Sequence, residues 1–153
     1  MTYSKQEIYA LAQTLFVPAE WPYIQSCLET MSLTHSRVLY NDGVLAAFVI
    51  VNKAELGNAF ISYCGVCKTQ QGKGFGSKLL KETLTSIFQV DFYAAQLYVD
   101  NWNNDARRLY ERLGFKAIGS AVVAGSECTL MEITREKWLG FTKIVKAPVA
   151  LAM

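Results

Sequence analysis

The chain has 153 residues with 52% hydrophobic and 18% charged side chains and a net charge of +2, a composition that excludes a disordered chain and gives no indication of nucleic-acid binding. No apolar run approaches the ~20 residues that cross a bilayer, and residues 1–7 lack the basic and apolar regions of a secretory signal. We therefore expect one cytoplasmic domain over residues 1–153, without a nucleic-acid or membrane partner.

The hydrophobic pattern predicts helices and strands that together form an α/β fold with a mixed sheet. A capping box from Ser4 to Glu7 precedes the first helical series, and Asn41-Asp42-Gly43 predicts a hairpin. A later strand–helix–strand run predicts a right-handed crossover between parallel strands. The predicted helices span residues 5–16, 22–31, 75–88 and 105–113, and the predicted strands span residues 37–41, 44–51, 59–66, 94–99, 116–123 and 128–133.

Residues 137–153 are unusually apolar for the end of a chain. Their side chains include Trp138, Phe141 and Leu151. Three interpretations remain open, namely a cover for a sheet edge, a homodimer contact, and a partly disordered segment.

The cysteines do not form the pattern of a metal site. Cys64 and Cys67 form a C-x-x-C, but the other thiols are the isolated Cys27 and Cys128, and the single histidine is His35. A structural zinc site needs four ligands at finger-like spacing, and strand residues three apart point to opposite faces. We therefore expect reduced thiols, buried or half-buried, and no metal.

A glycine-rich turn at residues 66–77 connects a predicted strand to a predicted helix. Glycine lets the backbone come close to a ligand, and the first helical turn offers unpaired N–H groups with a partial positive charge, so such a turn binds phosphate. No G-K-[ST] closes the turn as in a nucleoside-triphosphate loop. Gly72, Gly74 and Gly76 also lack the G-x-G-x-x-G spacing of a dinucleotide site.

Two sequence blocks resemble the GNAT N-acyltransferase superfamily. The turn fits the family's acyl-CoA pyrophosphate loop, Q-x-x-G-x-G. Residues 97–115 are similar to a second block, V-x-x-x-N-x-x-A-x-x-L-Y-x-x-x-G-F. The matching positions are Gln71, Gly74, Gly76, Val99, Asn103, Ala106, Leu109, Tyr110, Gly114 and Phe115. The resemblance implies a GNAT-like fold, with a central mixed sheet flanked by helices and two parallel strands that splay apart to bind acyl-CoA.

The resemblance also implies roles for individual residues. Cys64, Gly65 and Val66 would offer backbone groups to the pantetheine arm and the acyl carbonyl, with the Val66 N–H as oxyanion donor. Asn103 would help to hold the pantetheine. Tyr110 would contact the cofactor and protonate the departing CoA thiolate, although it also fits the apolar helix face as a core aromatic. The pyrophosphate would be bound by Gln71, Gly72, Lys73, Gly74, Gly76 and Ser77.

The sequence departs from the family pattern at two places. Some members carry a glutamate on the strand before the loop, where this chain has Phe60. The general base is therefore unassigned, with Glu55, Asp100 and His35 as candidates beside a base-free mechanism. The family's first strand also has no counterpart before Ser4, so it is either absent or replaced at a sheet edge by the apolar end of the chain.

The resemblance implies an N-acetyltransferase that uses acetyl-CoA as co-substrate and no metal. Its acceptor would be a primary amine of a small molecule or a protein. The alternative is a non-catalytic acyl-CoA-binding regulatory module. Trp21, Tyr23 and Trp102 are candidates to line the acceptor pocket, or are packing residues.

Overall fold

The computed structural model describes residues 4–90 and 92–141. The helices are α1 (Lys5–Leu15), α2 (Trp21–Glu29), α3 (Phe75–Phe88), α4 (Asn104–Leu113) and α5 (Arg135–Phe141). The strands are β1 (Arg37–Asn41), β2 (Val44–Lys53), β3 (Asn58–Val66), β4 (Ala94–Asp100), β5 (Lys116–Val123) and β6 (Ser126–Thr134). The predicted elements are therefore confirmed with small shifts of their ends, and α5 is an element that the sequence pattern did not predict.

The first helix begins where the predicted capping box places it. The Ser4 hydroxyl accepts hydrogen bonds from the N–H groups of Gln6 (3.1 Å) and Glu7 (3.4 Å). The Glu7 carboxylate instead accepts a hydrogen bond from the Tyr40 hydroxyl at 3.0 Å. One half of the capping box therefore stabilises α1, and the other half ties α1 to the edge strand β1.

The strands form one mixed sheet in the order β1-β2-β3-β4-β6-β5. Neighbouring strands are antiparallel except β3 and β4, which α3 connects. In this parallel pair only residues 58–60 pair with residues 94–96, so the two strands separate toward their carboxyl ends. The predicted α/β fold with splayed parallel strands is confirmed.

Helices cover both faces of the sheet, and β2 contributes to the core on each face. Its alternate residues Ala47, Val49 and Val51 pack with α3, whereas Phe48 and Ile50 pack with α1 and α2. This alternation confirms that β2 is an interior strand, since an exposed face would carry polar side chains. The arrangement leaves the gap between β3 and β4 bordered by α3 and α4 on one side and by the α1–α2 connection on the other.

The described chain begins as the sequence predicts but ends differently. Within the described residues no strand precedes α1, and the sheet ends at β1 and β5. The edge-strand interpretation is wrong for residues 137–141, because they belong to α5, which packs against α3 and β6 with Trp138 only 4% exposed. Residues 1–3 and 142–153 lie outside the described residues, so all three interpretations of 142–153 stay predictions.

The end of α4 depends on a glycine. Gly114 has φ of 109°, and a Cβ at this position would lie 3.0 Å from Ile133 Cδ1. We expect Gly114→Ala to lower the free energy of unfolding by about 2 kcal/mol. The matched control is Gly43→Ala, because Gly43 also has a positive φ of 78° but its Cβ would meet nothing within 4 Å; it should cost about 1 kcal/mol. Urea unfolding measures the free energy of unfolding of both variants. Equal losses would contradict a steric contribution from Ile133 at position 114.

Candidate active site

Two cavities meet where β3 and β4 splay apart. The large cavity has a volume of about 610 Å³ and extends from the gap to the glycine-rich turn. The small cavity, about 310 Å³, lies toward the α1–α2 connection and the β5–β6 hairpin. Both are lined by Cys64, Asp100, Asn103 and Tyr110, so the two cavities adjoin at these residues.

The glycine-rich turn presents an uncapped helix N-terminus. Gly72 and Gly74 both have φ of 83°, a left-handed conformation that favours glycine. Gly74 precedes α3 without a side-chain cap, and the first backbone bond of the helix runs from Lys78 N–H to the Gly74 carbonyl. The N–H groups of the first turn therefore have no acceptor within the helix. They form a site suited to an anion such as a pyrophosphate.

The side chains of the turn contribute unequally. Gln71 donates from Nε2 to the Val66 carbonyl at 3.0 Å, which ties the turn to the end of β3. Gln71, Gly72 and Gly76 line the large cavity. Lys73, Gly74 and Ser77 belong to the same turn without lining the cavity, and the exposed Lys73 donates from Nζ to the Gln70 side chain at 3.2 Å. Lys73 is thus available for long-range attraction of an anion.

The end of β3 directs backbone groups of Val66 and Cys64 into the gap. The Cys67 N–H donates to the Ala46 carbonyl of β2 at 2.8 Å. Because backbone groups alternate along a strand, Gly65 also faces β2, whereas Val66 and Cys64 face the gap. A Cβ at Gly65 would lie 2.7 Å from a side-chain carbon of α1 and 3.0 Å from the Phe48 ring. The absence of a side chain at Gly65 therefore allows α1 and Phe48 to pack closely against this part of β3.

Tyr110 is a core aromatic residue whose hydroxyl reaches the gap. Its ring packs in the core with the Phe115 ring, at a centroid distance of 5.8 Å, and the residue is 7% exposed. Its hydroxyl lies 3.1 Å from the Cys64 sulfur across the gap. Burial raises the pKa of Tyr110 well above its usual value, and a charged thiolate at Cys64 would raise it further, so the phenol keeps its proton at neutral pH.

The caps of α4 place this tyrosine. Asn103 accepts a hydrogen bond from the Ala106 N–H through Oδ1 at 3.2 Å, so a ligand in the cavity would be bound through its Nδ2 donor. At the other end, the Phe115 N–H donates to the Tyr110 carbonyl at 3.0 Å. The helix is thereby fixed at both ends, with the phenol pointing to β3.

The three candidate bases lie in different places. His35 lines neither cavity; its Nδ1 is 2.7 Å from the Ser86 hydroxyl and its ring packs on Phe92. Burial lowers its pKa. His35 is therefore a core residue away from the gap. Glu55 belongs to the turn at the amino end of β3, whereas Val66 lies at the carboxyl end of that strand. Asp100 lines both cavities and accepts hydrogen bonds at Oδ1 from Ser126 and Cys128.

A further carboxylate, Glu20, was missed by the sequence interpretation. It lies in the short turn between α1 and α2, lines both cavities and accepts a hydrogen bond from the Tyr63 hydroxyl at 2.8 Å. Burial and this carboxylate raise the pKa of Tyr63. Within the described ranges neither Glu20 nor Asp100 forms an ion pair, so their charges act on the cavities. The sequence signal that could have identified Glu20 is its position as an acidic residue in the break between two predicted helices.

The aromatic side chains proposed for an acceptor pocket separate into three positions. Tyr23 lines the small cavity and Trp102 the large one. Trp21 lines neither, and its ring N–H donates to the Phe16 carbonyl at 2.9 Å. Phe60, at the position where some family members have glutamate, lines the small cavity. Only Tyr23 and Phe60 of this set can therefore contact a ligand there.

The thiols and acids of the described residues do not assemble into a metal site. No group of three or more His, Cys, Asp and Glu side chains converges in residues 4–90 and 92–141. Cys64 contacts Tyr110 whereas Cys67 contacts Thr69, and the four cysteines are free thiols. Among the helices that the structure describes, none has the length and hydropathy of a membrane span.

Comparisons with known proteins agree with this geometry. The model of the acetyltransferase (GNAT) family matches residues 6–115. Among solved structures, Ard1 from Thermoplasma volcanium has a TM-score of 0.74 at 20% identity, over 88% of this chain and 95% of that one. The ribosomal-protein-S18-alanine N-acetyltransferase from Escherichia coli has a TM-score of 0.71 at 21% identity, over 88% and 89%.

A third solved structure contains a ligand that joins both substrates. Arabidopsis thaliana Naa50, in complex with the bisubstrate analogue CoA-Ac-MVNAL, has a TM-score of 0.71 at 20% identity, over 84% of this chain and 91% of that one. At this level of identity the likeness shows that the fold is shared. The family match and the fold together agree with the two sequence blocks at residues 66–77 and 97–115.

Proposed function

Since the chain belongs to the GNAT acetyltransferase family, we propose that it transfers an acetyl group from acetyl-CoA to a primary amine of a small molecule or a protein. One observation carries this proposal. Gly76, in the first turn of a helix N-terminus suited to pyrophosphate, and the buried Tyr110 line the same cavity. The donor binds in that cavity, so its phosphates and its reacting thioester are held at separate places.

The donor is bound mainly by backbone groups. The first turn of α3 and the turn at Gly72 and Gly74 direct N–H groups to the pyrophosphate. The pantetheine arm follows the end of β3, whose backbone groups at Cys64 and Val66 are not used by β2. The Nδ2 group of Asn103 binds the arm from the side of α4. A backbone site of this kind needs few specific side chains, which is consistent with the short sequence motif.

Acetyl transfer requires attack of a neutral amine on the thioester carbonyl. The new C–N bond forms a tetrahedral oxyanion, to which the Val66 N–H donates. The C–S bond then breaks, and the Tyr110 hydroxyl gives its proton to the departing CoA thiolate. Burial raises the pKa of a phenol and also that of a thiol in the same surroundings, so their order of acidity changes little on entry into the site.

The acceptor amine enters from the small cavity. This cavity reaches Tyr110 without contacting the glycine-rich turn and is lined by Glu20 and Asp100, which also line the large cavity. Carboxylates without cationic partners attract an ammonium group, and one of them can take the proton that the amine must lose. The missing glutamate at Phe60 is thereby replaced from a different strand or loop.

An assay with a panel of amines tests the proposal. Acetyl-CoA is incubated with polyamines, peptides with free N-termini, lysine side-chain analogues and arylamines, and the acetylated product is detected by mass, because the partly exposed Cys67 would react with thiol reagents. We expect turnover with at least one cationic amine. Thermal stabilisation by CoA without turnover on any amine would instead support a binding module and contradict the transferase.

A further inference from the structure

The thiol of Cys64 is the polar group that contacts the hydroxyl of Tyr110. The two atoms are 3.1 Å apart, although the residues lie 46 positions apart in sequence and belong to β3 and α4. Both side chains line both cavities. The contact therefore lies where the two cavities adjoin, next to the place where the thioester would lie. Neither backbone binding of the donor nor packing of the core requires a thiol at this point.

Both groups are neutral before the reaction. Burial raises the pKa of the Cys64 thiol, with a smaller lowering by the hydrogen bond to Tyr110, and burial likewise raises the pKa of the phenol. One of the two must donate the hydrogen bond. If the thiol donates to the phenolic oxygen, the phenolic proton is free to point to a third group. The phenolic proton can then point into the cavity, where the CoA sulfur would lie.

We propose that Cys64 is a positioning residue for Tyr110. The Cys64 thiol donates a hydrogen bond to the phenolic oxygen and thereby directs the phenolic proton to the leaving sulfur. This inference rests on the proposed function. During transfer the proton of Tyr110 moves to the CoA sulfur, while Cys64 keeps its own proton. The S–H group then donates to a phenolate, and a hydrogen bond to an ion is stronger than one between neutral groups. Tyr110 is reprotonated from solvent before the next turnover.

The stabilisation acts on the phenolate and leaves the bound substrate nearly unaffected. A loss of the thiol should therefore lower kcat and leave KM for acetyl-CoA unchanged. If the contact were purely structural, its loss would lower thermal stability without lowering kcat selectively. The expected effect corresponds to the difference between a hydrogen bond to an ion and one between neutral groups, a loss in kcat of about three- to tenfold.

Two matched substitutions separate the donor from the volume of the side chain. Cys64→Val has an apolar side chain of similar size without a donor, whereas Cys64→Ser keeps a donor on a smaller side chain. We expect kcat to fall about three- to tenfold in Cys64→Val and less than about twofold in Cys64→Ser, both measured with Tm. A larger loss in Cys64→Ser than in Cys64→Val would show that volume matters and would overturn the inference.

The same substitution in a Tyr110→Phe background tests whether Cys64 acts through Tyr110. We expect Cys64→Val to have no further effect on kcat there, because the phenolic oxygen is gone. An equal loss in both backgrounds would overturn the inference. An active wild-type protein with an unaffected Cys64→Val variant would overturn this inference alone, whereas an inactive wild-type protein would contradict the proposed function itself.

Discussion

Replacement of Tyr110 by phenylalanine is expected to lower kcat about 100-fold, which is the lower range for the loss of a general acid. KM for acetyl-CoA should change less than about twofold, because the donor is bound mainly by backbone groups of β3 and the glycine-rich turn. The ring of the variant keeps its contact with Phe115, so the fold should remain. The departing thiolate must then take its proton from water, which the buried position of Tyr110 disfavours.

Initial rates at saturating amine and varied acetyl-CoA measure both constants. Tyr93→Phe is the matched control, because it removes the same hydroxyl from a side chain that is 64% exposed and lines neither cavity; its kcat should equal that of the wild type. Since burial raises the pKa of Tyr110, the wild-type kcat should also show no alkaline loss from this group below about pH 9. A folded Tyr110→Phe protein with wild-type kcat would exclude the acid role.

The parts of the site that the sequence predicted are those built from neighbouring residues. Gly72 and Gly74 need positive φ, Asn103 caps a helix that starts one residue later, and Gly114 ends that helix. Each requirement acts within a few residues, so it leaves a spacing that can be recognised. The fold followed from the same local signals, because a strand, a long amphipathic helix and a strand allow few arrangements.

The contacts that cross the gap could not be predicted in this way. Cys64 meets Tyr110, and Glu20 meets Tyr63, only because the register and splay of β3 bring them together. For His35 the sequence predicted a role in the site that the structure does not support. Its intrinsic pKa made it a candidate base, but its distant neighbour Ser86 on α3 binds its ring away from the cavities. Spacing in the chain carries no information on such pairs.

The end of the described chain was misinterpreted for a related reason. The apolar side chains of residues 137–141 have no long periodic pattern, since α5 is only seven residues long. Short helices are stabilised by packing more than by propensity. Trp138 is buried in the core beside α3, and this tertiary contact favours the helical conformation of the segment.

The two carboxylates at the small cavity are expected to differ in function. Asp100 ends β4, the strand that forms one wall of the gap, whereas Glu20 approaches from the α1–α2 turn and is bound by Tyr63. We expect Asp100→Asn to lower kcat/KM for the amine about 100-fold at pH 7, as for the loss of a general base. Glu20→Gln should mainly raise KM for the amine, by about tenfold, because a carboxylate that binds ammonium is lost.

The pH dependence separates a base from a binding group. Without a base, reaction requires the free amine, whose fraction rises tenfold per pH unit below an amine pKa of about 10. The Asp100→Asn variant should therefore recover kcat/KM with a slope of one in the logarithm up to that pH, whereas the wild type should show a shallower rise. Glu20→Gln should keep the wild-type shape at a lower level. If instead Glu20→Gln gained the steep slope and Asp100→Asn kept the wild-type shape, Glu20 would be the base. If both variants kept the wild-type shape, the amine would arrive neutral and neither carboxylate would act as the base.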